Sequence, residues 1–245
     1  SDEIAVTATP DTVADVLDGL NATEYYGSLS IDDVYYNTKV AYGFNYVDNS
    51  LNITHDYDDR GAHGTHVAGI AAANKVEGVG VVGVAPDAQL YVMKVFGANG
   101  GAYTQDILAA LEDALMLGAD VVNMSLGSPA GFTHDADDID NIYNRVAQTG
   151  TVLSISAGNN YTAGDANAWG TNLNLTSNPD NGVVGQPAVY NNVMSVASVE
   201  NLAIMRQYIL VSDGYRMGYN DTTSSYGLPA ITTLTGEYEF VFVPN

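Results

Sequence analysis

Two short runs carry side chains that could do chemistry. The first, His63-Gly64-Thr65-His66-Val67-Ala68-Gly69, leads into small residues and sets an imidazole at the start of an expected helix. Imidazole has an unperturbed pKa of about 6.5, so an exposed one can act as a general base near neutrality. The second, Ser154-Ile-Ser-Ala-Gly-Asn159-Asn160, reads as an apolar strand running out into a glycine turn, with a carboxamide at the strand's C-terminal end. Ligand sites of open α/β sheets lie at that edge, and an amide NH₂ aimed at a developing oxyanion lowers the barrier to acyl transfer.

Two other chemistries are weaker on the letters. His63 and His66 share a helix face as a metal pair would, but the Glu and the four-residue spacing of an H-E-x-x-H site are missing. A metal-dependent hydrolase therefore ranks last among the alternatives. Gly78-Val-Gly80-Val-Val-Gly83 spells a dinucleotide fingerprint, yet Ala85-Pro86-Asp87 and a strand follow it. Without a helix N-terminus nothing receives a pyrophosphate.

Composition sets the frame for these sites. The 245 residues carry 7 Lys+Arg against 29 Asp+Glu, a formal charge of −22, with 46% apolar residues and no Cys. So apolar a chain can bury a sizeable core, and a thiolate metal site or disulfide scaffold is excluded. An acidic surface with scattered cations repels phosphate backbones, so no nucleic-acid partner is expected. No apolar run reaches the length of a membrane span.

The elements that must position the sites follow from periodicity. Residues 1–60 are polar and Tyr-rich, with a short helix expected around Pro10–Leu20 and a strand at Lys39–Val47. From His63 to Val199, apolar runs alternate with helical periods, the pattern of a layered α/β domain with a parallel sheet. Gln89–Phe96 reads as a strand. A helix follows with Thr104 as its N-cap, Ile107, Leu108, Leu111, Ala114 and Leu115 on one face, and Gly118 as its stop. Val121–Leu126 reads as a buried strand. The next helix carries Ile139, Ile142, Tyr143, Val146 and Ala147, and strands Thr151–Ser156 and Val193–Val199 come after it. Gly64 and Gly69 are expected to let the His63 helix pack closely on the sheet. Gly236–Val243 reads as one further strand.

Taken together, His63-Gly-Thr-His-Val-Ala-Gly, Asn123-Met-Ser-Leu-Gly and Ser156-Ala-Gly-Asn stand in the order and spacing of the subtilisin-like (subtilase) serine proteases. The chain resembles that family over roughly residues 55–200. Finer features, among them Gly182-Val-Val-Gly-Gln-Pro-Ala and Glu237-Tyr-Glu-Phe-Val-Phe-Val, resemble its cell-envelope branch of lactocepins and C5a-peptidase-like enzymes. The resemblance implies a three-layer α/β fold, with a mostly parallel central sheet flanked by helices. It makes His63 the general base and Asn159 the oxyanion donor. Ser125, Leu126 and Gly127 would pair with the substrate backbone, Gly100 and Gly101 would face them, and His66 would be structural. An extended peptide or protein is the implied partner. No cofactor is required, Ca²⁺ is admitted as a structural ion although no ligand set matches by position, and the location is secreted or attached to a Gram-positive cell envelope.

The departures shape the expectation. The family carries an Asp in a D-T/S-G strand before the His and a nucleophilic Ser in a G-T-S motif after the Asn, and neither stands here. Asp213-Gly214 lies on the wrong side of His63, while Asp56, Asp58 and Asp59 sit in a polar loop. The expected product is a serine endopeptidase catalytic domain incomplete at both ends. Residues 1–200 would form the partial domain, without the Asp strand and the Ser helix. Residues 201–245 would connect to the start of an inserted protease-associated domain. By itself the chain is expected to be inactive, and a strand neighbouring the missing one would have an unpaired edge. The alternative is a non-catalytic pseudoprotease or peptide-binding module, against which the retention of both His63 and Asn159 argues.

Overall fold

Apolar spacing and local caps produce most of the elements, in a computed structural model that describes residues 6–56, 58–59, 61–78, 81–129, 131, 133, 138–159, 166–167, 170–171, 184–199, 207–210, 214 and 216–219. Contacts divide the chain into two units, Ser1–Ala197 and Ser198–Asn245. In the second, the described elements are strands Gln207–Leu210 and Arg216–Tyr219, an antiparallel pair. The expected strand at Gly236–Val243 lies outside the described residues.

The first unit opens with three helices: α1 (Pro10–Leu17), α2 (Asn21–Tyr26) and α3 (Ile31–Val34). Thr9 caps α1 reciprocally with Thr12, and Pro10 starts it. Helix α3 has a capping box of Ser30 and Asp33. The periodicity of residues 1–60 pointed only to the first helix, because α2 and α3 are too short to show a period. Strand β1 (Val40–Asn45) comes next, then α4 (His63–Ala72), β2 (Leu90–Lys94), α5 (Thr104–Met116), β3 (Val121–Met124), α6 (Asp138–Gln148) and β4 (Val152–Ser156). The short antiparallel pair β5 (Ala166–Asn167) and β6 (Gly170–Thr171) precedes β7 (Met194–Val196). Helix α5 starts after Tyr103 without a side-chain cap, so Thr104 is its first residue and not its N-cap.

All pairs among β1, β2, β3, β4 and β7 are parallel, as alternating strands and helices dictate. They form two sheets among the described residues, β1-β2 and β3-β4-β7. Strands β2 and β3, joined in sequence by α5, therefore each present an open edge. Val121 is 59% exposed and Asn123 is exposed as well. This corrects the expectation of a buried strand at Val121–Leu126. Such burial requires neighbours on both sides and helices on both faces, and no described strand pairs with β3 opposite β4.

Helix α5 ties the two sheets together through two of its faces. Ala109 and Ala110 enter the core under β1, with Tyr42, Phe44, Tyr46, Val13, Leu17 and Val34. Leu111, with Ile107 and Leu115 one turn to either side, enters the core of Met124, Tyr143, Val146, Leu153 and Ile155.

Beside α4 a glycine is set by close approach, and it is neither of those expected. A Cβ on Gly64 or Gly69 would meet nothing within 4 Å, so they do not serve close packing. At Gly83 a Cβ would stand 2.3 Å from Ala73 N and 2.6 Å from Ala72 C, both backbone. Gly83 is therefore explained by packing on α4, without any cofactor. Gly83→Ala is expected to cost about 1–3 kcal/mol as overpacking. That corresponds to a midpoint lower by roughly 2–12 °C in a circular-dichroism melt. Gly69→Ala, with open space around it, should hold or slightly raise the midpoint. Equal melts for the two variants would contradict the packing account.

Candidate functional site

Helix α4 delivers His63. Its N-cap, Ala62, offers no side-chain bond, so the helix is held mostly from its other end. There Val84 N donates to Ile70 O at 2.9 Å, Ala85 N to Ala71 O at 2.8 Å and Gly83 N to Ala73 O at 2.9 Å. These bonds satisfy carbonyls that a helix C-terminus leaves orphaned. His63 is exposed, with no side-chain hydrogen bond among the described residues, and His66 is exposed one turn further on. No group of three or more His, Asp or Glu side chains converges as a metal site among the described residues.

The approach to His63 is tied to a neighbouring turn. Asp59 N donates to Ala98 O at 2.9 Å, Gly97 N to Gly101 O at 3.0 Å and Gly100 N to Gly97 O at 2.8 Å. Gly100 and Gly101, the expected facing edge, are exposed in that turn. Asp59, four residues ahead of His63, is thus bonded to the turn that follows β2.

The second group lies at the C-terminal ends of β3 and β4. These strands are parallel neighbours with Met124 opposite Ile155, so residues 125–127 and 157–159 leave the sheet side by side. Ser156 Oγ donates to Leu126 O at 3.3 Å, bonding one exit to the other. Gly158, at φ +103°, makes the turn that exposes Asn159. A further segment joins them that the sequence motifs did not single out as part of the site. Ser128 N donates to Gln186 O at 2.9 Å, Gln186 N to Ser128 O at 3.0 Å, Gly131 N to Val184 O at 3.0 Å and Gly185 N to Ala157 O at 2.8 Å. Residues 184–187 therefore wall both exits. No hydrogen bond or ion pair among the described residues joins His63 to Asn159.

This arrangement, an extended segment at one strand end beside a carboxamide at the next, suits an extended peptide whose carbonyl meets the amide. The Subtilase family's sequence profile matches residues 12–235. The chain belongs to the subtilase family. Among the relatives of this subtilase, the PII-type proteinase of Lactococcus lactis subsp. cremoris is 41% identical over 212 residues, 78% of this chain and 11% of that proteinase. Subtilisin E of Bacillus subtilis (strain 168) is 35% identical over 149 residues, 60% of this chain and 34% of subtilisin E. A solved structure, the S41 psychrophilic protease, aligns with a TM-score of 0.45 at 33% identity, covering 66% of this chain and 45% of that one. The subtilase chain thus spans about a tenth of the lactococcal proteinases and about a third of subtilisin E.

Proposed function

We propose that this subtilase chain is the middle of a serine endopeptidase catalytic domain that cleaves extended peptides by acyl transfer. The location inferred for it is outside the cell or on the cell envelope. The observation that carries the reading is the bonded pair of strand exits, with the 125–127 edge beside the Asn159 turn. His63 supplies the base, taking the proton of a serine hydroxyl as it attacks the peptide carbonyl and returning it to the leaving amine. Asn159 donates to the oxygen that becomes negative. Ser125–Gly127 and Gly100–Gly101 hold the substrate backbone between them. The open edges of β2 and β3 fit one further parallel strand, the one that would bring the carboxylate for His63.

The test is hydrolysis of an extended chromogenic peptide by the protein in which residues 1–245 are joined to their own Asp strand and Ser helix. Asn159→Leu is expected to lower kcat about 10²–10³-fold with little change in KM, the magnitude known for subtilisin's own oxyanion asparagine. An intact gene lacking both motifs would instead favour the pseudoprotease.

A further inference from the structure

In a chain with a formal charge of −22, a single ion pair forms among the described residues, between Lys94 and Asp58. Its place is informative. Lys94 is the last residue of β2, its side chain 11% exposed against 17% for Asp58. The same ammonium donates to Thr54 O at 3.0 Å. Asp58 N donates in turn to His55 O at 3.0 Å, so Thr54, His55 and Asp58 gather at the Lys94 head group.

Two more ties leave this loop. Asp59 N reaches Ala98 O in the turn of Gly100 and Gly101, and His55 Nδ1 lies 3.2 Å from Thr65 Oγ1 in the first turn of α4. The segment that leads the chain into His63 is thus bound to the end of β2, to the substrate-facing turn and to the helix that carries the imidazole. Of the three ties only the one at Lys94 is ionic and largely buried. Its loss strands the Asp58 carboxylate, only 17% exposed, and such a group is costly to leave unpaired. Helix α4 has no N-terminal side-chain cap to hold its place instead.

We infer that Lys94 is a positioning residue, anchoring residues 54–59 so that His63 and the Gly100–Gly101 edge keep one relative placement. The inference rests on His63 as the base, and it adds a residue that does not touch the substrate. It is tested by hydrogen exchange on the 245-residue chain and by kinetics on the peptidase that contains it. Lys94→Met is expected to speed exchange of the amides at 55–59 and 63–66 roughly tenfold or more, leaving those of β4 and α6 unchanged. In the peptidase it should lower kcat by about tenfold or more with KM within about twofold, since small misplacements of a catalytic group are costly. Lys94→Arg, which keeps charge and donors, should restore most of both readouts. Unchanged exchange at 55–66, or an unchanged kcat, overturns the anchoring role. A peptidase that turns over normally after His63→Ala, with Lys94 intact, overturns the base assignment, and the positioning role falls with it, whatever the exchange shows.

Discussion

A fluorophosphonate reagent is expected to leave the 245-residue chain unlabelled, and the chain is expected to hydrolyse no peptide. Such reagents phosphonylate a serine, with loss of fluoride, where the hydroxyl is activated by a base and the developing negative oxygen is held by a donor. In the proposed reading the chain supplies the base as His63 and the donor as Asn159. No Gly-Thr-Ser follows Asn159, and Ser125 lies in the segment read as substrate-pairing. In the proposed peptidase that joins the chain to its Asp strand and Ser helix, labelling and turnover are expected together. There His63→Ala is expected to lower kcat by about 10⁶, the loss that subtilisin itself shows for its histidine. Neither described neighbour can substitute for it, because His55 is engaged with Thr65 and His66 sits one turn along the helix. Intact-mass spectrometry reads the outcome directly. Stoichiometric labelling of a serine in the isolated chain would refute the proposed division of the site.

The second large effect falls far from the chemistry, at Asp113 of α5. Its side chain is fully buried and accepts from Asn21 N at 2.7 Å, Asn21 Nδ2 at 3.0 Å, Ala22 N at 3.0 Å and Tyr46 OH at 2.8 Å. Asn21 and Ala22 open α2, whose own N-cap position is Leu20, with no side-chain bond to give. Asp113 therefore caps α2 from 92 residues away and favours its positive N-terminal end. Asp113→Ala strands these donors without water and is expected to cost about 3 kcal/mol or more. The thermal midpoint should fall by roughly 6–12 °C. Tyr46→Phe removes one donor and should cost about 1 kcal/mol.

The pH dependence has a defined sign. Burial, the largest influence, pushes the Asp113 carboxyl above its ordinary value, and the four donors pull it back only in part. The folded chain thus holds this proton more tightly than the unfolded chain does. Its contribution to stability is full below the unfolded pKa of about 3.9 and declines as pH rises through the raised folded value. Asp113→Asn should remove that decline from a series of melts above pH 4. An Asn variant with the same slope as the wild type would place the titration elsewhere.

How much of this was legible in the letters depends on how locally each feature is determined. Apolar positions spaced for one helix face, as at Ile107, Leu111 and Leu115, place α5 in register between its strands with no knowledge of the neighbours. The runs around His63 and Asn159 name their chemistry for the same reason, since side-chain types and a turn-making glycine are local properties. Helix α2 was not legible, because its cap comes from Asp113 and its six residues show no period.

By itself, then, the sequence determined the family and the alternation of the longer strands and helices from His63 to Val196, and it named His63 and Asn159 as the candidates for base and oxyanion donor. Tertiary structure alone decided the rest. It showed that Gly83 is compressed and Gly64 and Gly69 are not, since packing at Gly83 depends on the backbone of Ala72 and Ala73 lying across it. It showed that β3 is an exposed edge, because burial belongs to the neighbours a strand finds and not to its own apolar letters. It also showed that Lys94, one of seven scattered cations, closes the loop ahead of His63, because an ion pair depends on distance in space and not along the chain.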